Sequence, residues 1–262
     1  MIRSKIDIVK LDFSLVYSQK EVYVYNPLFD ISSSEKIPML IMHDGHNLFL
    51  KETSAFGETW NIQETLDYFY PKNKIIVCGI PESSTKRYDL YSPFKFEGNM
   101  DLILNQTEIK GGLGDCYLSW IINVLIPYMK KNYPINEKEI YMAGSSMGGL
   151  ISLYAGFKYP EVFRKIGVFS PAMWFCEESM HAYINNNFNP NLSIYLDIGT
   201  EETSNKKIKE FKFIYLNGAR RLKSLFISLK TVDFFYLEAV GDKHNESAWA
   251  KRFKWFYNWL IE

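Results

Sequence analysis

The stretch "MAGSSMGG" (142–149) carries two adjacent serines, and one of them completes the pattern G-x-S-x-G. The central residue of that pattern is Ser146, while Ser145 fills the variable position. A serine hydroxyl attacks a carbonyl carbon only when a general base within hydrogen-bond reach takes its proton. The chain has four histidines, His43, His46, His181 and His244. His244, in "AVGDKHNESAW", is the base candidate because it falls just after the last strand-like run and just before the last helical pattern. A carboxylate is then needed to hold the imidazole tautomer and stabilise the imidazolium. "LSIYLDIGTEETSN" offers Asp197, Glu201 and Glu202. Glu202 is favoured and Glu201 comes second, because both lie in the loop beyond the run whereas Asp197 lies inside it.

The tetrahedral intermediate of such an attack needs preorganised donors for its oxyanion. One is the backbone N–H of Met147, next to the nucleophile. The second is expected from "MHDGHNLF" (42–49), where Gly45 allows a sharp turn and the N–H of His46 points inward, with Gly45 itself as the alternative. A metal reading of His43, Asp44 and His46 is set aside. Strand alternation sends His43 and Asp44 to opposite faces, and no partner cluster occurs elsewhere. Neither a metal nor another cofactor is expected.

These groups must be positioned by a scaffold that the remaining sequence outlines. Period-2 alternation predicts two opening strands, "KIDIVKLDFSLVY" and "EVYVYN". Six short apolar runs follow: 37–45, 74–81, 139–145, 165–171, 192–200 and 233–241. Runs apolar on both faces predict strands of a buried parallel sheet. Helical patterns separate most of them, including 116–133, with Trp120, Val124 and Tyr128 on one face. The last segment places Trp249, Phe253, Phe256 and Leu260 on another. Alternating β and α elements predict a doubly wound α/β fold with helices on both faces. The opening pair extends one edge as antiparallel strands. The run 139–145, the "GSSMG" turn and the helical "SMGGLISLYAGFKY" form the strand–turn–helix setting in which a serine is presented at a tight, strained tip. The paired Gly148 and Gly149 permit close packing of that helix on the sheet.

The bulk composition narrows the function. The chain has 262 residues and no linker rich in Gly, Pro or Ser, so one domain spanning 1–262 is expected. Lys+Arg and Asp+Glu both number 30, which argues against a nucleic-acid binder. Basic clusters such as "KRFK" (251–254) read as solvated helix faces. Cys78, Cys116 and Cys176 are far apart and form neither a disulfide framework nor a zinc spacing. No apolar run approaches a membrane span, and the first residues lack a signal-peptide core, so a cytoplasmic location is expected.

Taken together, "LIMHDGHNLF", "GETWNIQETLD", "IVCGIPESSTKRYDLYSPF", "GSSMGG", "SPAMW", "LDIGTEE" and "GDKHNESAW" resemble the putative esterase family of the α/β-hydrolase superfamily, which includes esterase D and enterochelin-type siderophore esterases. The resemblance runs from the opening strands to the last helix. It implies the α/β-hydrolase fold, Ser146 as nucleophile, His244 as base and Glu202, three residues after the glycine of the "GTE" turn, as acid. It also places an oxyanion donor at His46. The segment "GGLGDCYLSW" (111–120) and Trp174 are then expected beside the site, and Arg87, with Lys86, is a candidate contact for an anionic substrate. The expected partner is a small-molecule ester, with acyl transfer or a catalytically inactive binding protein on the same fold as alternatives.

Overall fold

The computed structural model describes residues 4–13, 18–27, 35–69, 74–82, 85–98, 108–205, 207–208 and 210–262. Eight strands form a single sheet: β1 (Lys5–Phe13), β2 (Ser18–Asn26), β3 (Ile37–His43), β4 (Ile76–Ile80), β5 (Ile135–Ser145), β6 (Phe163–Phe169), β7 (Ser193–Gly199) and β8 (Phe234–Ala239). Their order across the sheet is β1-β2-β4-β3-β5-β6-β7-β8. The β1–β2 and β2–β4 pairs are antiparallel, and every pair from β4 through β3 to β8 is parallel. The antiparallel opening pair therefore extends one edge of the sheet, as its alternation leads one to expect.

The helices are α1 (Ile62–Phe69), the short α2 (Arg87–Leu90), α3 (Gly114–Trp120), α4 (Ile126–Asn132), α5 (Met147–Lys158), α6 (Glu177–Asn186), α7 (Phe211–Ser228) and α8 (Glu246–Ile261). Strand residues alternate between two cores even where every position is buried. Leu40 and Met42 of β3 join one core and Ile41 the other. α1 and α8 cover the first face, with Leu66, Phe253, Phe256 and Leu260 packed on it. α3, α4, α5 and α7 cover the second, with Leu118, Met129, Leu150 and Phe226. Each such side chain contributes about 1.5–3 kcal/mol on burial.

Three local expectations differ from what is observed. Between α3 and α4 a π-helical turn (Ile121–Leu125) inserts extra residues into the spiral. The fully buried stripe is consequently Tyr117, Ile121, Leu125 and Met129, while Val124 and Tyr128 are only half-buried. β8 is half-buried along its whole length, because it is the edge strand. Arg252 of "KRFK" is buried rather than solvated, since three carboxylates surround it. No helix among the described residues is long and apolar enough to cross a membrane.

β3 and β5 are neighbours whose chains then lead to opposite sides of the sheet. That makes the gap beyond their carboxyl ends the topological switch point, the place where open α/β sheets bind ligands.

Candidate active site

Ser146 lies between β5 and α5, with φ 57° and ψ −120°. This backbone conformation is sparsely populated for a residue with a side chain and stores about 1–3 kcal/mol of strain. The surroundings hold it there. Ser146 N donates to Phe169 O at 2.9 Å, and Ser146 O accepts from Leu150 N and Ala172 N, both at 3.0 Å. The two motif glycines are needed for close approach. A Cβ on Gly144 would lie 2.8 Å from the carbonyl of Gly148, and one on Gly148 would lie 3.0 Å from His43 Cβ. Ser145 ends β5 and is buried opposite Phe169.

The loop after β3 runs beside the start of α5, since a Cβ on Gly148 would also stand 3.6 Å from Asp44 Oδ2. Its left-handed residue is Asp44, with φ 53°, and not Gly45. Gly45 is required for another reason: a Cβ there would come within 2.3 Å of the backbone carbon of Gly79 in β4. A 3-10 turn (Gly45–Asn47) follows, closed by Asn47 N donating to Asp44 O at 2.9 Å. Arg87 anchors the turn, donating from Nε and Nη2 to the Asp44 carboxylate at 2.8 and 2.7 Å. Asn47 Nδ2 donates to Glu246 Oε1 at 3.0 Å, which ties this loop to the first turn of α8. His43 Nδ1 pairs with the Tyr117 hydroxyl at 2.9 Å, and burial pushes its pKa down to about 3. Among the described residues, no group of three His, Cys, Asp or Glu side chains is arranged to hold a metal ion.

His244 stands between β8 and α8, where Asn245 caps the helix by accepting from Ala248 N at 3.0 Å. Its ring packs against Tyr215 and Trp249, with centroids 4.6 and 4.9 Å away. Nδ1 meets Glu202 Oε2 at 2.6 Å. Of the three acid candidates, Glu202 is the one brought to the imidazole. Glu201 pairs with Lys212 at 2.9 Å, and Asp197 stays inside β7 beside Arg252.

Glu202 is fully buried, and its second oxygen is heavily bonded. Oε1 accepts from Gly199 N at 2.7 Å, from Arg252 Nη2 at 3.2 Å and from the Ser170 hydroxyl. Ser170 Oγ in turn accepts from Trp249 Nε1 at 2.9 Å and from Arg252 Nη2 at 3.0 Å. Burial alone would raise the carboxyl of Glu202. The bond and charge of His244, the Arg252 charge and the Ser170 bond outweigh it and hold Glu202 below the usual carboxylate range. Asp197 has the opposite outcome: burial prevails over Arg252 and pushes it up to about 7.

Sequence reasoning missed Tyr215. Its hydroxyl lies 3.4 Å from Ser146 Oγ and 3.5 Å from His244 Nε2, and it donates to Ser204 Oγ at 3.3 Å. "FKFIYLNGARRL" shows only helical periodicity, so nothing marks this tyrosine before the fold brings α7 to the site. Ser170 falls inside the run 165–171 expected as a strand, which ends at Phe169, and nothing in that run marks it. Trp174 packs edge-on to Tyr215 and Phe211, at 6.4 and 5.6 Å, and its buried indole N–H makes no hydrogen bond among the described residues.

A family model described as "Putative esterase" matches residues 17–255. The protein YbbA of Bacillus subtilis strain 168, itself described as uncharacterized, is 28% identical over 245 residues, covering 90% of each chain. Among solved structures, the BES protein from Bacillus cereus matches with a TM-score of 0.77 at 19% identity, covering 100% of this chain and 98% of the other. The siderophore hydrolase EstA from Aspergillus nidulans matches with a TM-score of 0.73 at 16% identity, covering 97% and 94%.

Proposed function

The chain belongs to the Putative esterase family and is a carboxylic ester hydrolase on an α/β-hydrolase fold, and from that premise we propose that Ser146, His244 and Glu202 form its catalytic triad. The observation that carries the reading is the 2.6 Å contact from Glu202 to His244 Nδ1, with Ser146 Oγ and His244 Nε2 at 3.4 and 3.5 Å from the same Tyr215 hydroxyl. In acylation, Ser146 Oγ bonds to the ester carbonyl carbon while His244 Nε2 takes the serine proton. The bond to the leaving oxygen then breaks and His244 returns the proton to it. In deacylation, water attacks the acyl carbon, His244 takes its proton and delivers it to Ser146 Oγ as that bond breaks. Glu202 stabilises the imidazolium in both halves. The backbone N–H groups of Met147, at the start of α5, and of His46, in the loop that Arg87 and Asp44 brace, receive the oxyanion.

A small acyl ester or a siderophore ester is the substrate class we favour. The fold shared with a siderophore hydrolase and the aromatic wall of Trp174, Phe211 and Tyr215 support it. Trp174 offers the substrate its indole N–H, and Arg87 offers the guanidinium edge that Asp44 does not use. The chain acts as one domain, and we expect it to work in the cytoplasm.

The test is turnover of p-nitrophenyl acetate by the wild type and by Ser146→Ala, followed by a panel of acyl esters and siderophore trilactones. Loss of the nucleophile should lower kcat by three orders of magnitude or more. Equal turnover by both proteins refutes the assignment.

A further inference from the structure

Among the described residues, the Tyr215 hydroxyl lies within 3.5 Å of both the nucleophile and the base. The hydroxyl lies 3.4 Å from Ser146 Oγ, 3.3 Å from Ser204 Oγ and 3.5 Å from His244 Nε2. All three contacts are longer than the usual 2.7–2.8 Å of a hydroxyl–oxygen bond, so the donation to Ser204 Oγ is weak and is readily exchanged for a closer acceptor. The ring is fixed by Phe211, Trp174 and His244, with centroids at 5.7, 6.4 and 4.6 Å. The residue is fully buried, and burial pushes its phenol up to about 12 despite its hydrogen bonding with Ser146 and Ser204. It therefore keeps its proton at any working pH and acts as a neutral donor.

Resting on the triad reading above, we propose that Tyr215 is a further catalytic residue whose hydroxyl donates a hydrogen bond to the oxygen with which His244 exchanges a proton. In acylation that oxygen belongs to the departing alcohol. In deacylation it belongs to the attacking water. Both must pass within reach of His244 Nε2 and of the carbonyl carbon carried by Ser146, which is the space the hydroxyl faces. Tyr215 keeps its own proton throughout. The serine or water proton still travels through His244, so each half-reaction balances without it. What Tyr215 supplies is stabilisation of negative charge on the leaving or attacking oxygen while the proton is in transit.

This role has a signature that packing lacks. A p-nitrophenolate leaves without help, whereas an alkoxide needs stabilisation as it departs. Tyr215→Phe keeps the ring and removes only the hydroxyl. Its kcat/KM for ethyl acetate should fall at least about tenfold further than its kcat/KM for p-nitrophenyl acetate, the scale of one lost hydrogen bond in a transition state. Stoichiometric labelling of Ser146 by a fluorophosphonate, read by mass spectrometry, should persist in the variant and so report an intact nucleophile. An equal loss on both esters, or none, in a labelled protein overturns the Tyr215 role alone. A wild-type chain that hydrolyses both esters and takes no label at Ser146 overturns the triad reading and the Tyr215 role together.

Discussion

Replacing Arg252 tests the buried charge network that supports Glu202. Its side chain is 3% exposed and holds three carboxylates: Glu202 at 3.2 Å, Asp197 at 3.5 Å and Asp242 at 3.8 Å. Arg252→Met keeps the length and apolar stem while removing the charge. Asp197 and Glu202, both fully buried, then face each other without a cation. Breaking a buried pair in this way costs about 3–5 kcal/mol. The lower half of that range applies, because the Arg252 Nε and Nη1 groups make no hydrogen bonds among the described residues and are easier to lose. At about 2–4 °C per kcal/mol for a chain of this size, the melting temperature should drop by about 10 °C at pH 8. The loss should also depend on pH. Asp197 titrates near 7 in the folded protein, well above its ordinary value, so it destabilises the fold as pH rises toward 7 and no further beyond that. Without Arg252 its folded pKa climbs higher, and the penalty keeps growing above pH 7. The variant should therefore sit closer to wild type at pH 6 than at pH 8, and adding Asp197→Asn should recover part of the loss. Calorimetry at both pH values decides it. A shift below about 2 °C, or one identical at pH 6 and pH 8, refutes the network as described.

Further outcomes follow from the loops that meet at the switch point. Glu246 is buried, and burial, reinforced by Asp44, pushes its carboxyl up to about 7. Its stability contribution thus falls as pH rises from its unfolded value near 4.5 to about 7, so Glu246→Gln, which keeps the acceptor for Asn47, should gain up to about 3 kcal/mol over wild type at pH 8 and little at pH 5, by chemical denaturation. Gly45→Ala forces a Cβ into the backbone of Gly79 and should cost about 1–3 kcal/mol and most of the esterase activity. Gly57→Ala is its control: φ is +71° in open space, so about 1 kcal/mol of strain should leave kcat/KM unchanged. Glu202→Gln should lower kcat by at least two orders of magnitude with little change in KM, since the amide can present the imidazole with a donor in place of an acceptor.

The parts of this architecture that sequence exposes are those fixed by local chemistry. Period-2 alternation and two-sided apolar runs gave all eight strands within a few residues at most ends, since register and burial are written in neighbouring side chains. β5 begins at Ile135, four residues before the apolar run, and the last four positions of the first predicted strand, 14–17, lie outside the described residues. Ser146 was legible because the strained tip needs Gly144 and Gly148 at fixed offsets. His244 and Glu202 are legible as loop residues at the carboxyl edge of the sheet, with Glu202 preferred to Glu201, and the fold sets Glu202 against the imidazole while Glu201 pairs with Lys212. Gly45 was read as the turn glycine, whereas the left-handed residue is Asp44 and the glycine serves the approach to β4. That contact spans 34 positions and leaves no local trace. Tyr215, Ser170 and Arg252 belong to the same class. Each lies on or just beyond an element whose own pattern is satisfied without it, and each meets His244 or Glu202 only where α7, the end of β6 and α8 converge. Arg252 makes the point most sharply. By charge pattern "KRFK" is a solvated face, and Lys251 and Lys254 are indeed exposed. The residue between Lys251 and Phe253 turns inward because Glu202, Asp197 and Asp242, from a different part of the chain, give its charge the counterions that water would otherwise supply.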